Sequence, residues 1–196
     1  YKDVLTSHLY ADAITMMSGL GIMNGYEDGT FKPEATVNRA ELSKLICNVA
    51  EADASTIVFS CGDVDANHWA VKFVGYCVLN NIIALEDGLY RPENAATVIE
   101  TISAILNLKG FDGNGTDNEI VDIAEECGLL NNMSNLIFDE AITRGEVAQL
   151  LYNSLELDYE IYCQEKFLEM CNSGSYDGIL DAMDSELYQY SLFSVI

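Results

Sequence analysis

The feature that most constrains the fold is the stretch of residues 20–46, which reads LGIMNGYEDGTFKPEATVNRAELSKLI. The glycine after Leu20 predicts the end of a helix, because glycine adopts the left-handed conformation at a helix C-terminus without a side-chain clash. Asn24-Gly25 and Asp28-Gly29 predict tight turns, and Pro33 disfavours helix just before it. The stretch therefore predicts a helix that ends, two turns with at most one short edge strand, and then a second helix.

Residues 38–41, with the sequence NRAE, predict the start of that second helix as a capping box. The Asn38 side chain accepts a hydrogen bond from the first turn, while Glu41 reaches back to the amide of the cap residue. Capping does not use Arg39, which lies beside the positive end of the helix dipole, where a cation is mildly unfavourable. A helix N-terminus with free amides and an arginine suits a carboxylate or a phosphate. Arg39 is therefore an anion ligand or, alternatively, a surface arginine paired with a nearby acid.

The same pattern returns twice along the chain. The second copy repeats Asp3-Val4 and His8 of the first copy as Asp63-Val64 and His68. Its capping box runs from Thr97 to Glu100. Val98 replaces the arginine there, so we predict that the second anion site is lost or altered. The third copy has lost the glycine-rich turn, but residues 143–146 restore the full box as TRGE.

This repetition predicts the domain organisation. The boundaries are 1–55 for the first copy, 56–111 for the second and 112–157 for the degenerate third. Each copy is only two helices and a turn and cannot bury its apolar faces alone, so the copies should pack on one another in a mainly α fold. Residues 158–196 do not match the pattern and are expected to be a helical tail or the start of a following domain.

The acidic composition limits the partners. Nine Lys and Arg against 32 Asp and Glu give a net charge of −23, which argues against nucleic acid and against an anionic membrane surface. No apolar run is long enough to insert into a membrane. The chain starts at Tyr1 in the middle of the pattern and without a signal-like segment, so we expect a mature or excised piece of a larger protein.

Six cysteines do not form a dense disulfide framework. Cys47, Cys77 and Cys127 fall among apolar residues of helical runs, which favours buried thiols. Cys163 and Cys171 are about 12 Å apart if they share one helix, too far to bridge each other. No spacing of cysteine and histidine suggests zinc.

Other candidate residues keep two interpretations each. Trp69 could stack on a sugar ring, but Leu9 occupies the matching place in the first copy, which favours core packing equally. His8 and His68 recur at matching helix starts, so a structural role is favoured over catalysis, and no nucleophile arrangement is present.

Alternating oxygen ligands in residues 112–118 resemble a calcium loop that lacks its turn glycine and its bidentate acid. We therefore expect no cofactor, with calcium as the alternative. The four candidate calcium ligands are Asp112, Asn114, Thr116 and Asn118.

The order of Asp-Val, His-Trp-Ala, Gly-Ile, Gly-Tyr-x-Asp-Gly-Thr-Phe-Lys-Pro and Thr/Asn-Arg-Ala-Glu resembles the S-layer homology domain, in three tandem copies over residues 1–157. The resemblance implies a pseudo-threefold bundle of three helix-turn-helix repeats with short edge strands. It implies an extracellular location at the bacterial cell wall and binding of pyruvylated secondary cell-wall polysaccharide in grooves between adjacent repeats.

The resemblance also implies a set of ligand-binding residues. The arginine of the capping box lies near the acid group of the ligand in this family, and the turn and the tryptophan line the groove. The expected residues are Arg39 and Arg144, with Asn38, Thr143, Glu41 and Glu146 of the two boxes and with Asp28, Gly29 and Trp69. The expected function is a non-catalytic anchoring module of a secreted surface protein. The alternative is a self-assembly element of a surface layer or filament that contacts other copies of the protein. Val98, the eroded third turn and the aromatic tail favour this alternative.

Overall fold

The structure is a computed structural model that describes residues 1–158 and residue 162. The chain divides into two units, Tyr1–Glu156 and Leu157–Ile196, and the described helices all lie in the first. The tail predicted at 158–196 lies outside the described residues, apart from Asp158 and Tyr162. The helices are α1 (Ala11–Gly19), α2 (Arg39–Val49), α3 (Val71–Leu79), α4 (Val98–Leu108), α5 (Asp117–Glu126) and α6 (Arg144–Ser154). The fold is therefore mainly α, as predicted. None of these helices combines the length and the apolar character that a membrane crossing requires.

The prediction of short edge strands is wrong. Among the described residues, the extended segments form isolated β-bridges instead of strands. Three of these bridges join different copies: Thr36 with Thr143, Asn38 with Ala95, and Thr97 with Ala141. Each extended segment lies between a turn and the cap of the next helix, so it is too short to build a ladder.

The predicted capping boxes are confirmed at α2, α4 and α6, where side-chain and backbone bonds run in both directions. A fourth box, formed by Thr116 and Glu119, starts α5 and was not predicted. The structural role of the two histidines is also confirmed. Nδ1 of His8 accepts the amide of Tyr10 at 3.1 Å, and Nδ1 of His68 accepts the amide of Ala70 at 3.2 Å. These bonds hold the chain at the starts of α1 and α3.

The first helix of the first copy ends where the sequence predicts, and the first helices of the other two copies end in the same way. Gly21, Asn81 and Gly128 follow α1, α3 and α5 with φ of 72°, 56° and 84°. Glycine, and to a lesser degree asparagine, tolerates this left-handed conformation, which explains why asparagine can replace glycine in the second copy.

Two details bound the helices of the first copy. Helix α2 ends at Val49, because Glu51 takes a left-handed φ of 50° that stops the helix. Leu9 and Leu20 lie outside α1 and are 61% and 55% exposed.

The helices pair across copies rather than within them. Helix α1 packs against α6, α2 against α3, and α4 against α5, so every pair joins two different copies. The fully buried side chains of these pairs include Ile14, Met17, Ile46, Ile102 and Leu150. Since each apolar face is covered by a neighbouring copy, a copy cut out of the chain would expose most of its core.

Backbone hydrogen bonds close a ring at the point where the three copies meet. The amide of Val37 donates to the carbonyl of Ile142 at 3.1 Å, the amide of Ala96 to Val37 at 2.9 Å, and the amide of Ile142 to Ala96 at 2.9 Å. These residues are buried. They come directly before the N-cap residues of α2, α4 and α6, so the ring brings the starts of these three helices together.

The N-terminal amides of these helices are not free, which corrects one premise of the anion-site prediction. The amide of Arg39 donates to the carbonyl of Asn94 at 2.9 Å, and that of Ala40 to Pro92 at 3.0 Å. Corresponding pairs of bonds join α4 to the third copy and α6 to the first. The third amide of each helix is held by the capping side chain. Any anion must therefore be held by side chains.

The cysteine prediction is confirmed for two residues. Cys47 and Cys77 are buried at 2% and 0% exposure, where α2 packs on α3. A hydrogen bond with Cys47 together with burial raises the pKa of the Cys77 thiol. Cys127 is only half-buried, as the C-cap residue of α5. Cys163 and Cys171 lie outside the described residues.

An aspartate near the start of the first two copies holds the turn that precedes each capping box. The carboxylate of Asp63 accepts the amides of Tyr90 and Arg91 at 2.8 and 2.6 Å. Asp3 makes the corresponding two bonds in the first copy, at 2.8 and 2.7 Å. Burial raises the pKa of Asp63, but the hydrogen bonds from these amides and from the thiol of Cys61 outweigh it, so that the pKa lies below its ordinary value of 3.8.

We expect Asp63→Asn to lower the Tm at pH 7 by about 3–6 °C, an effect limited by the exposure of the carboxylate. Because the folded-state pKa is lowered, this contribution is complete above the unfolded-state pKa near 4 and is lost as the pH falls through the folded-state pKa. The difference from wild type should therefore shrink towards pH 3 in thermal unfolding followed by circular dichroism. Asp87→Asn, at an exposed turn residue, is the control. A difference that stays constant with pH would contradict the assigned role of the carboxylate.

Candidate functional site

A groove of about 410 Å³ lies where the three copies meet, and each copy contributes to its wall. The first copy supplies most of the lining, the second supplies Trp69 and the third supplies Arg144. The polar residues of the first copy in the groove are Asn24, Glu41, Lys44 and Asn48, and the apolar ones include Ile22, Met23 and Val37. The packing of helices across copies is what brings these distant parts of the sequence together.

The guanidinium of Arg144 is held in place by the first copy. Nε donates to the carbonyl of Phe31 at 2.9 Å, and Nη2 donates to the carbonyl of Asn24 at 2.9 Å. The guanidinium carbon also lies 4.5 Å from the ring centre of Phe31 and 5.1 Å from that of Tyr26. In the part of the chain that the structure describes, no carboxylate pairs with Arg144. The guanidinium is thus held in one orientation, and its Nη1 remains available to a ligand in the groove.

Arg39 makes the same two backbone contacts with the second copy. Its Nε donates to the carbonyl of Tyr90 at 2.7 Å, and its Nη2 donates to that of Ala84 at 3.5 Å. Two differences separate it from Arg144. Nη1 of Arg39 forms an ion pair with Glu100, and the residue is only 6% exposed. All three nitrogens of this guanidinium are therefore bonded within the protein.

The third equivalent position is Val98, which is buried at 2% exposure at the start of α4. Its backbone makes the expected bond to the third copy, from its amide to the carbonyl of Glu140 at 3.0 Å. The valine supplies no charge at this position. The three junctions between copies thus share the same backbone hydrogen bonds but carry different side chains at this position.

Trp69 lies on the groove surface with 53% exposure, so the core-packing interpretation is wrong. Its ring stacks on His68, with centres 6.0 Å apart and an interplanar angle of 27°, and contacts Phe73 at 6.5 Å. Leu9, the matching residue of the first copy, is exposed as well. The aromatic ring is therefore held by neighbours on one side and open to a ligand.

The remaining predicted residues divide into two groups. Glu41 lines the groove and at the same time caps α2. Asn38, Thr143 and Glu146 complete the capping boxes. Asp28 and Gly29 lie in the turn instead, where Asp28 accepts the hydroxyl and amide of Thr30 at 2.6 and 3.0 Å. These bonds lower the pKa of Asp28. The structure therefore brings Arg144, Glu41 and Trp69 together, while the other predicted residues support the fold around them.

Sequence reasoning missed Lys44, Asn24 and Asn48. Lys44 follows Glu41 by three residues and so lies on the same face of α2, a spacing that could have indicated it. Asn48 lies one further turn along and donates to the carbonyl of Ile22 at 3.0 Å. With Lys44 and Arg144 against Glu41, the groove lining carries a local excess of positive charge on a chain of net charge −23.

The absence of a cofactor stays the prediction, and calcium binding by residues 112–118 stays the alternative. The carboxylate of Asp112 accepts the amide of Asn114 at 3.0 Å, and Thr116 caps α5 through Glu119. Asn118 lies inside α5. Among residues 1–158 and 162, no group of three or more histidine, cysteine, aspartate or glutamate side chains is placed to hold a metal ion.

Comparison with known proteins relates the chain to bacterial surface proteins. Cell surface glycoprotein 1 of Acetivibrio thermocellus is 28% identical over 182 residues, covering 87% of this chain and 7% of that protein. Middle cell wall protein of Brevibacillus brevis is 25% identical over 153 residues, covering 74% of this chain and 14% of that protein. The cellulosome-anchoring protein of Acetivibrio thermocellus is 28% identical over 129 residues, covering 63% of this chain and 29% of that protein. The chain thus spans less than a third of each of these relatives.

The family model that matches is the S-layer homology domain, over residues 1–43. This range ends inside α2, so it contains the first helix, both turns and the capping box of the first copy. The relatives are surface and cell-wall proteins by name. Residues 1–43 are therefore similar to the S-layer homology domain, and this match and the relatives together point to the cell surface and the cell wall.

Proposed function

We propose that this chain is a non-catalytic anchoring module that binds an anionic, pyruvylated secondary cell-wall polysaccharide in the groove at Arg144. The observation that carries the proposal is a fixed arginine without a carboxylate partner among the described residues, in one groove with an exposed tryptophan. We also propose that the three copies are arranged about a pseudo-threefold axis. The closed ring of backbone bonds through Val37, Ala96 and Ile142 supports this arrangement.

The groove chemistry suits a sugar that carries a carboxylate. Nη1 of Arg144 can donate to the carboxylate of a pyruvate ketal, and Lys44 adds a second cation. The open side of the Trp69 ring can take the apolar face of a pyranose, while Glu41 and Asn24 can bond its hydroxyl groups. Since the rest of the chain is strongly acidic, binding depends on these local groups rather than on the net charge.

Anchoring is supported by the family and by the relatives. One relative is named as a cellulosome-anchoring protein and another as a cell wall protein. Because the chain is a small part of each relative, the other functions of the parent protein lie beyond this proposal.

The test is sedimentation of the purified chain with cell-wall sacculi, before and after chemical removal of the secondary polysaccharide. We expect the chain to sediment with intact sacculi and to remain in solution with stripped ones. Equal sedimentation with both would contradict polysaccharide binding, and sedimentation with neither would contradict anchoring. The net charge of −23 cannot account for the expected difference, because an anionic polysaccharide repels a negative chain and charge alone would reduce sedimentation with intact sacculi.

The second candidate function is self-assembly. Large apolar side chains are exposed on the first copy, with Leu5 at 70%, Leu9 at 61% and Leu20 at 55%. Exposed apolar side chains mark a protein contact where they form a continuous patch. Oligomers that grow with concentration in light scattering, unaffected by wall polysaccharide, would support this function over anchoring.

A further inference from the structure

We propose that the ion pair with Glu100 blocks a second anion site at Arg39. The chain therefore binds one ligand, although it has arginines at two equivalent positions. This inference rests on the proposed function, since it concerns the same ligand chemistry. It assigns to Glu100 a role in setting the number of ligands bound.

The two arginine junctions differ in one ion pair. In both, Nε and Nη2 donate to two carbonyls of the next copy, so that both guanidinium groups are fixed in the same way. Nη1 then pairs with Glu100 in the case of Arg39. For Arg144, no described carboxylate makes this pair, although Glu41 occupies the equivalent position in the capping box.

Glu100 uses its two carboxylate oxygens for two different tasks. Oε2 accepts the amide of Thr97 at 3.2 Å and so completes the cap of α4, while Oε1 pairs with Arg39. The Glu100 side chain is 28% exposed, against 8% for that of Arg39. Glu100 is therefore the more accessible partner of this ion pair.

An internal carboxylate competes with a ligand carboxylate for the same donor. Glu100 is covalently part of the chain and is held by its cap bond, so its effective concentration at Arg39 exceeds that of a free ligand. Removing its charge without losing the cap should open the site. Glutamine does this, because its side-chain oxygen can still accept the amide of Thr97.

The experiment is isothermal titration calorimetry with a methyl hexoside that carries a single pyruvate ketal. Counting sites that bind with wild-type affinity, we expect one in the wild type, two in Glu100→Gln, none in Arg144→Ala, and one in the double variant Glu100→Gln/Arg144→Ala. The double variant reports on the Arg39 site alone and leaves Arg39 intact. The matched control is Glu119→Gln, which removes the same capping charge from α5 and should keep one site.

One site in Glu100→Gln and none in the double variant would overturn the inference, provided that thermal unfolding shows both variants to be folded. A wild type with one site would at the same time leave the proposed function standing. Two sites in the wild type would also overturn the inference, because Glu100 would then not close the Arg39 site. A wild type that binds no ligand would overturn the proposed function itself and the inference with it.

Discussion

Arg144→Ala is expected to weaken binding of pyruvylated wall polysaccharide by about 10- to 100-fold, from the loss of a charge-assisted hydrogen bond that contributes roughly 1.5–3 kcal/mol. The effect should be large because Arg144 is already aimed at the groove by the carbonyls of Phe31 and Asn24. Little entropy is lost when such a fixed side chain binds a ligand. Arg144→Lys keeps the charge but cannot reproduce both carbonyl bonds, so its affinity should lie between those of the wild type and the alanine variant.

The chain contains one tryptophan, which makes this prediction simple to measure. Trp69 lines the same groove, so its fluorescence should change as the ligand fills the site and should give the dissociation constant directly. Arg91→Ala is the control, because Arg91 is a partly exposed arginine that pairs with Glu86 and does not line the groove. Equal affinities for Arg144→Ala and Arg91→Ala would contradict the assignment of the site.

Several local features could be predicted because they depend on few residues. The boxes at 38–41, 97–100 and 143–146 need only a cap residue and a glutamate three positions later, and all three form. Gly21 follows the first helix because its own backbone preference suits a left-handed conformation. These signals lie within one turn of the chain, so no tertiary context is needed to interpret them.

The site could be predicted only in part, because its geometry arises between copies. The sequence indicates the two arginines, but the ion pair from Arg39 to Glu100 joins residues far apart in the chain. The pairing of α1 with α6 likewise depends on how the copies pack, which periodicity within one copy does not report. For the same reason Trp69 could be assigned neither to the core nor to the surface until its neighbours were known.

Arg39→Ala should act mainly on stability, in contrast to Arg144→Ala. The guanidinium of Arg39 is buried, bonds two carbonyls of the second copy and neutralises Glu100. Removing one partner of a buried ion pair leaves the other charge uncompensated, so we expect a loss of about 2–4 kcal/mol in the free energy of unfolding. This is less than for a fully buried pair, because Glu100 remains partly exposed.

The measurement is chemical denaturation of the wild type, Arg39→Ala and Arg39→Ala/Glu100→Gln. The double variant should regain part of the lost stability, because glutamine removes the uncompensated charge and keeps the cap of α4. Arg91→Ala breaks an exposed ion pair and should cost no more than about 1 kcal/mol. If Arg39→Ala were as stable as Arg91→Ala, the bridge from Arg39 to the second copy would contribute little to the fold. A stability loss with unchanged affinity at Arg144 would separate an arginine that joins two copies from an arginine that is open to the ligand.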